Sequence, residues 1–170
     1  MAFKKTSELL NIGAFLSLAD GTPGSTTVNL PLSSLDREVF VITDVSLDHS
    51  PLIEPAPSQN ASLTASVNRN GTSIVYLNNP DCVAHTQFTI DVGPGGQFLT
   101  QRNSYPDEST SGTSRDFLSI IATPDFVLAG SFSTSAGGGS NRNVYARITG
   151  YRAVADAATY SALVVEEAGF

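Results

Sequence analysis

Ala61-Ser62-Leu63-Thr64-Ala65-Ser66-Val67-Asn68 decides the fold class, because its apolar and polar residues alternate one for one. Successive side chains of a β-strand point to opposite faces. Ala61, Leu63, Ala65 and Val67 therefore line a core, and Ser62, Thr64, Ser66 and Asn68 meet water. Directly downstream, Arg69-Asn70-Gly71-Thr72 contains Asn-Gly, a pair that readily takes the positive φ angles of a two-residue type I′ turn. The spacing predicts a hairpin that pairs Val67 with Ile74 and Ala65 with Tyr76.

The same period extends in both directions. Thr86, Phe88, Ile90 and Val92 alternate with Gln87, Thr89 and Asp91 until Gly93-Pro94-Gly95-Gly96 ends the strand, and a short return strand follows near Gln97 to Gln101. Upstream, Val39, Val41, Thr43, Val45 and Leu47 fall on one face. The other face passes from Phe40 and Ile42 to Asp44, Ser46 and Asp48, so the first half of this strand is covered on both sides. Phe117 to Ala122 and Phe126 to Ser133 are apolar runs parted by the turn signal Thr123-Pro124-Asp125, and they read as interior strands. Val144, Ala146 and Ile148 give the last strong alternation, with Gly150 a candidate bend. Gly13 to Ala19 and Thr27 to Leu32 are weaker strands.

After Asp156 the period changes. Asp156 is placed to cap a helix from Ala157 to Glu167, with Tyr160, Leu163, Val164 and Glu167 at helical spacing; the competing reading is a final strand through Ser161 to Val165. Two long connections, Arg102 to Asp116 and Ser133 to Asn141, the latter with Ala136-Gly137-Gly138-Gly139, read as loops. The chain is all-β: an antiparallel Greek-key sandwich of the jelly-roll kind with a short C-terminal helix. One domain suits 170 residues. Its expected parts are an N-terminal arm or first strand (1–26), the sandwich (27–155) and a helix or tail (156–170).

Composition narrows the function classes. A formal net charge of −7 argues against the phosphate attraction that dominates nucleic-acid binding, and no direct nucleic-acid contact is expected. Lys4 and Lys5 are the only basic cluster; the seven arginines are dispersed. Cys82 is the single cysteine, so there is no intrachain disulfide or thiolate cage. No stretch reaches the roughly 20 apolar residues of a membrane span. Lys4 and Lys5 followed by Leu9 to Leu18 imitate a signal peptide, which Glu8 and Asn11 interrupt. Asn60-Ala61-Ser62 and Asn70-Gly71-Thr72 match the glycosylation pattern, which matters only if the chain is secreted.

Catalytic, cofactor and metal sets are not apparent. His49 and His85 are the only histidines and read as solvent-exposed strand-edge or loop residues. The serines lack a Gly-x-Ser-x-Gly elbow, and Gly137-Gly138-Gly139-Ser140 lacks the lysine of a phosphate loop. Asp44 and Asp48 share a face with Ser46, but four strand residues put their backbones about 13 Å apart, against ligand distances of about 2.4 Å around calcium. Asp107 and Glu108 are the better pair for a cation, with a solvated acidic loop tip as the plainer reading. The most suggestive surface is Tyr145, Arg147, Thr149 and Tyr151, alternating along the last strand. Tyr and Arg are favoured in interfaces, whereas cover by a terminal segment of the same chain is the plainer account.

The strand spacing, the Ser/Thr/Asn/Gly richness and the closing Asn143-Val144-Tyr145-Ala146-Arg147-Ile148-Thr149-Gly150-Tyr151 make Arg37 to Ala153 resemble the small single-jelly-roll coat proteins of viruses. The resemblance implies a virion shell subunit, assembled in the host cytoplasm, that self-associates through strand faces, loops and extended termini and needs no active site. Other virion proteins are implied partners. Phe3, Phe15, Tyr145, Arg147 and Tyr151 are the interface candidates, with Phe3 to Phe15 acting as an arm. Such coat proteins often carry an Arg/Lys-rich terminus where they touch a genome, and here there are only Lys4 and Lys5. An outer or accessory layer, a head-decoration protein or a fibre component fits that charge equally. The rival class is a carbohydrate-binding or lectin-like sandwich, which would bind glycans through exposed aromatics but here has no tryptophan.

Overall fold

In the computed structural model, which describes residues 3–52, 55–106, 117–136 and 140–167, the alternating segments become ten strands and one helix. They are β1 (Lys4–Lys5), β2 (Leu10–Leu18), β3 (Gly24–Asn29), β4 (Glu38–His49), β5 (Asn60–Asn68), β6 (Cys82–Val92), β7 (Phe98–Tyr105), β8 (Ser119–Ile121), β9 (Asp125–Thr134), β10 (Arg142–Val154) and α1 (Ala157–Glu167).

The first sheet runs β2-β10-β4-β8, with β1 continuing the β2 edge of β10. The second runs β3-β9-β5-β6-β7. Every strand pairing is antiparallel. From β2 to β5 the chain changes sheet at each step, turns back within the second sheet through β6 and β7, and changes sheet again at β8, β9 and β10. The four-strand orders 2-10-4-8 and 3-9-5-6 are those of the two facing sheets of a jelly roll, and β7 extends the second sheet by one strand.

Apolar side chains from the two inner faces meet between the sheets. Leu18, Phe40, Ile42, Leu63, Phe126, Leu128 and Ile148 are almost completely buried there. Each such side chain contributes about 1.5–3 kcal/mol relative to exposure. A second, smaller cluster lies on the outer face of the first sheet: Val39, Val41, Ile120, Ala122 and Ala153 sit beneath Tyr160, Leu163 and Val164 of α1. The expected double cover of the first half of β4 is therefore real.

Several local expectations are corrected. The polar face of β5 does not meet water: Thr64, Ser66 and Asn68 are buried, Ser66 and Asn68 beneath the 69–81 segment. Val39 and Val41 do not share a face with Val45 and Leu47, because Thr149 pairs with Asp44 and Gly150 with Ile42, leaving Thr43 as an extra residue. This β-bulge reverses the alternation. Phe40 and Ile42 thereby join Val45 in the main core, and Val39 and Val41 turn to the helix.

The hairpin at Asn70-Gly71 does not form. β5 pairs instead with β6, Val67 opposite Ala84 and Ala65 opposite Thr86, and residues 69–81 lie over the outer face of the second sheet. Gly71 takes φ 78°, but Asn70 is not among the residues of positive φ, and a type I′ turn needs both. Longer-range contacts draw this segment away. The Asn68 amide donates to the Ser73 carbonyl at 2.7 Å, Val75 N–H donates to Ser66 Oγ at 3.1 Å, and the Tyr76 ring packs on His85 at 5.2 Å.

The helix reading prevails at the C-terminus. Asp156 accepts the Thr159 N–H at 2.8 Å and the Thr159 hydroxyl at 3.0 Å. Those bonds hold its carboxyl below the usual aspartate range. The far end of α1 is pinned too: the buried Glu167 carboxylate accepts the N–H groups of Ala122 and Thr123, both at 2.8 Å. Arg69 bonds Glu166 and the Pro80 carbonyl, tying the helix to the 69–81 segment. β7 runs four residues beyond the expected end at Gln101, so Arg102 to Tyr105 is strand rather than loop. Asp107, Glu108 and residues 137–139 lie outside the described residues.

Candidate functional site

The outer face of the first sheet separates the five interface candidates into two groups. β10 alternates so that Val144, Ala146 and Ile148 point inward, leaving Tyr145, Arg147, Thr149 and Tyr151 outward. Register with the neighbouring strands then places Phe15 and Asp48 beside Tyr145, Gly13 and Ser46 beside Arg147, and Asn11 and Asp44 beside Thr149. Phe15 and Tyr145 are 54% and 44% exposed, and their ring centroids lie 5.7 Å apart. Asn143 donates to the Tyr145 hydroxyl at 3.4 Å. Together with Arg147, Ser46 and Asp48 they line an open groove of about 550 Å³.

Gly13 forms part of that groove. A Cβ there would meet nothing within 4 Å, so the strand leaves open space beside Arg147. Arg147 makes no ion pair among the described residues, in contrast to Arg69, which pairs with Glu166 and Asp81, and Arg152, which pairs with Glu38 at 3.9 Å. Two neighbouring tilted rings, a guanidinium with no ion pair among the described residues and the carboxylates of Asp44 and Asp48 thus share one surface. Such groups recognise other surfaces by stacking and by charge-assisted hydrogen bonds.

Phe3 and Tyr151 are elsewhere. Both are only partly exposed and pack against the second cluster beside α1, where Lys5 Nζ stands 5.2 Å from the centre of the Tyr151 ring. Part of the Tyr-Arg stripe is therefore covered by its own chain. The Phe3 to Phe15 segment is built into the first sheet as β1 and β2, with Thr6 N–H bonded to the Arg152 carbonyl at 2.8 Å.

The titratable groups among the described residues do not gather into a reactive set. His49 bonds the Ser50 carbonyl through Nδ1 and packs on Phe88. His85 is buried rather than solvent-exposed as its strand-edge position suggests, and burial lowers its pKa. The residues 69–81 laid over this face account for that difference. Burial also pushes the Cys82 thiol up to about 11, leaving little thiolate near neutral pH. Among the described residues no three His, Cys, Asp or Glu side chains are placed to hold a metal ion. No described helix is long and apolar enough to cross a membrane.

No protein-family model matches this chain, and no curated protein matches its sequence. Sequence reading missed the roles of Glu167 and Asn70 because their partners lie far away in the chain: Ala122 and Thr123 for the Glu167 carboxylate, and the Glu167 carbonyl for the Asn70 amide. The one available signal was Glu167 at helical spacing with the apolar Tyr160, Leu163 and Val164.

Proposed function

We propose that this protein is a self-assembling virion structural protein, a jelly-roll shell subunit whose copies meet through the outer face of the first sheet around Phe15, Tyr145 and Arg147. The observation that carries the reading is this cluster of two exposed aromatic rings and an arginine with no ion pair among the described residues on one sheet face, in a chain with only 15% charged residues. Aromatic and Arg side chains are the groups most enriched where protein surfaces bury one another. Fold alone does not assign function, and the jelly roll enters only as an architecture used by virion shells. The acidic balance suits an outer, decoration or fibre role as well as a major shell.

One observation favours a second reading. The Phe15 and Tyr145 rings border an open groove with Asp48, Ser46 and Arg147, an arrangement that also suits the apolar face and hydroxyls of a sugar. Phe15→Ser with Tyr145→Ser separates the two. For a shell subunit, the double variant stays folded and loses concentration-dependent multimers. For a lectin-like module, the parent is a monomer that binds members of a glycan panel, and the variant no longer does.

A further inference from the structure

We propose that β7 is an assembly edge to which a second copy of this chain adds its own β7, antiparallel, about a two-fold axis centred on Thr100. Each sheet has five strands, but in the first β1 and β2 share one edge of β10, so the second sheet is one strand wider, and β7 is the extra one. Among the described residues it pairs only with β6, and Phe98 through Asn103 are all exposed. At the opposite side of the sandwich, β2 and β3 close on each other: a Cβ at Gly24 would sit 3.2 Å from Leu18. On the first sheet's far edge, β8 has only three residues.

Edge strands are commonly protected by lysines, prolines, bulges or short length. β7 has none of these. It is eight residues long, keeps unbroken register from His85–Tyr105 to Val92–Phe98, and contains one charge, Arg102. Among the described residues, its outer edge from Phe98 to Asn103 therefore presents backbone N–H and C=O groups to a further strand, flanked by Phe98 and Leu99, which are 56% and 63% exposed.

The sequence of β7 selects its own partner and register. A two-fold axis normal to the sheet keeps each residue on its own face, so only registers with an even index sum are allowed. Centred on Thr100, the pairing sets Thr100 opposite Thr100, Leu99 opposite Gln101, and Phe98 opposite the second copy's Arg102. Each guanidinium then lies against the other copy's exposed ring, a cation–π pair that symmetry makes twice. Centred on Leu99 or on Gln101, the pairing leaves Phe98 opposite Thr100 or Ser104, with no cation for the ring. Centred on Arg102, it sets two guanidinium groups against each other.

Cysteine cross-linking reads this register directly. Cys82, the only cysteine, is replaced by serine, and Thr100→Cys, Gln101→Cys and Asn103→Cys are introduced singly at these exposed positions. Directly opposed Cα atoms in an antiparallel pair are about 4.5–5.5 Å apart, inside the disulfide range. The two copies of residue 101 would stand about 8 Å apart, outside it. Under oxidised glutathione, T100C is expected to form covalent dimer at least about tenfold faster than Q101C or N103C. Adding Arg102→Glu to T100C should slow it. Equal rates at the three positions, a faster Q101C, or T100C remaining monomeric would overturn the proposal. None of those outcomes bears on the Phe15–Tyr145 surface, which lies on the other sheet.

Discussion

Replacing Gly150 with alanine tests whether the bulge at Thr43 organises the first sheet. An ideal Cβ at Gly150 would lie 2.7 Å from Cε1 and 2.8 Å from Cζ of Phe40, and would clash with the Val41 carbonyl oxygen. Ordinary contact begins at 3.4 Å. Phe40 and Val41 are each 1% exposed, so neither the ring nor the β4 backbone can yield without opening the sheet or disturbing the core. Overpacking of this kind costs about 1–3 kcal/mol, and weakening one β4–β10 hydrogen bond adds about 1 kcal/mol. A total of about 3 kcal/mol corresponds to a Tm lower by roughly 6–12 °C for a chain of this size. Gly13→Ala is the matched control, because its Cβ enters open space, and it should be neutral or stabilising by up to about 1 kcal/mol. Urea unfolding of both variants, with slopes unchanged from the parent, gives the comparison. A Gly150→Ala midpoint within error of that of Gly13→Ala would refute the argument from close approach.

Two further outcomes follow from the same packing. Glu167→Ala removes the acceptor for two backbone N–H groups, one of them at buried Ala122, and should cost about 2–4 kcal/mol in urea unfolding. Glu167→Gln, which retains one carbonyl acceptor, should lose less, and equal losses would contradict the account. The second concerns pH. Burial lowers the His85 pKa below its ordinary 6.5, so the unfolded chain takes up a proton there before the folded one does. Its effect on stability is absent above pH 6.5 and becomes a loss as pH falls from 6.5 through the folded pKa. The urea midpoint should therefore drop more between pH 7.5 and 5.0 in the parent than in His85→Phe, and identical drops would exclude His85 as the cause.

Strand positions and the core-facing residues were legible wherever alternation was clean, as in Ala61 to Val67 and Val144 to Ile148, because burying one face forces period two; the water-facing side of the first was not, since Thr64, Ser66 and Asn68 are buried, the last two bonded to Val75 and Ser73 of the 69–81 segment. The helix was legible from Asp156 and the apolar spacing behind it. Register was not. Nothing in Val39 to Leu47 marks Thr43 as an inserted residue, and the bulge is decided by the β10 partner, where Gly150 makes room. Asn70-Gly71 misled for a related reason: a turn signal specifies local backbone, whereas the path of residues 69–81 is set by Arg69 with Glu166 and Pro80, by Asn68 with Ser73 and by Asn70 with Glu167. The Tyr145 to Tyr151 stripe was legible as a face but not its cover. The β1 strand and α1 half-bury Tyr151 while leaving Tyr145 and Arg147 beside Phe15.

Self-association, proposed above as this chain's function, is read most simply from the mass of the purified protein, by light scattering behind a sizing column, over a range of concentration and salt. Multimers that grow with concentration and are lost in the Phe15→Ser, Tyr145→Ser variant are expected. A parent that remains a monomer at every concentration and salt would contradict it.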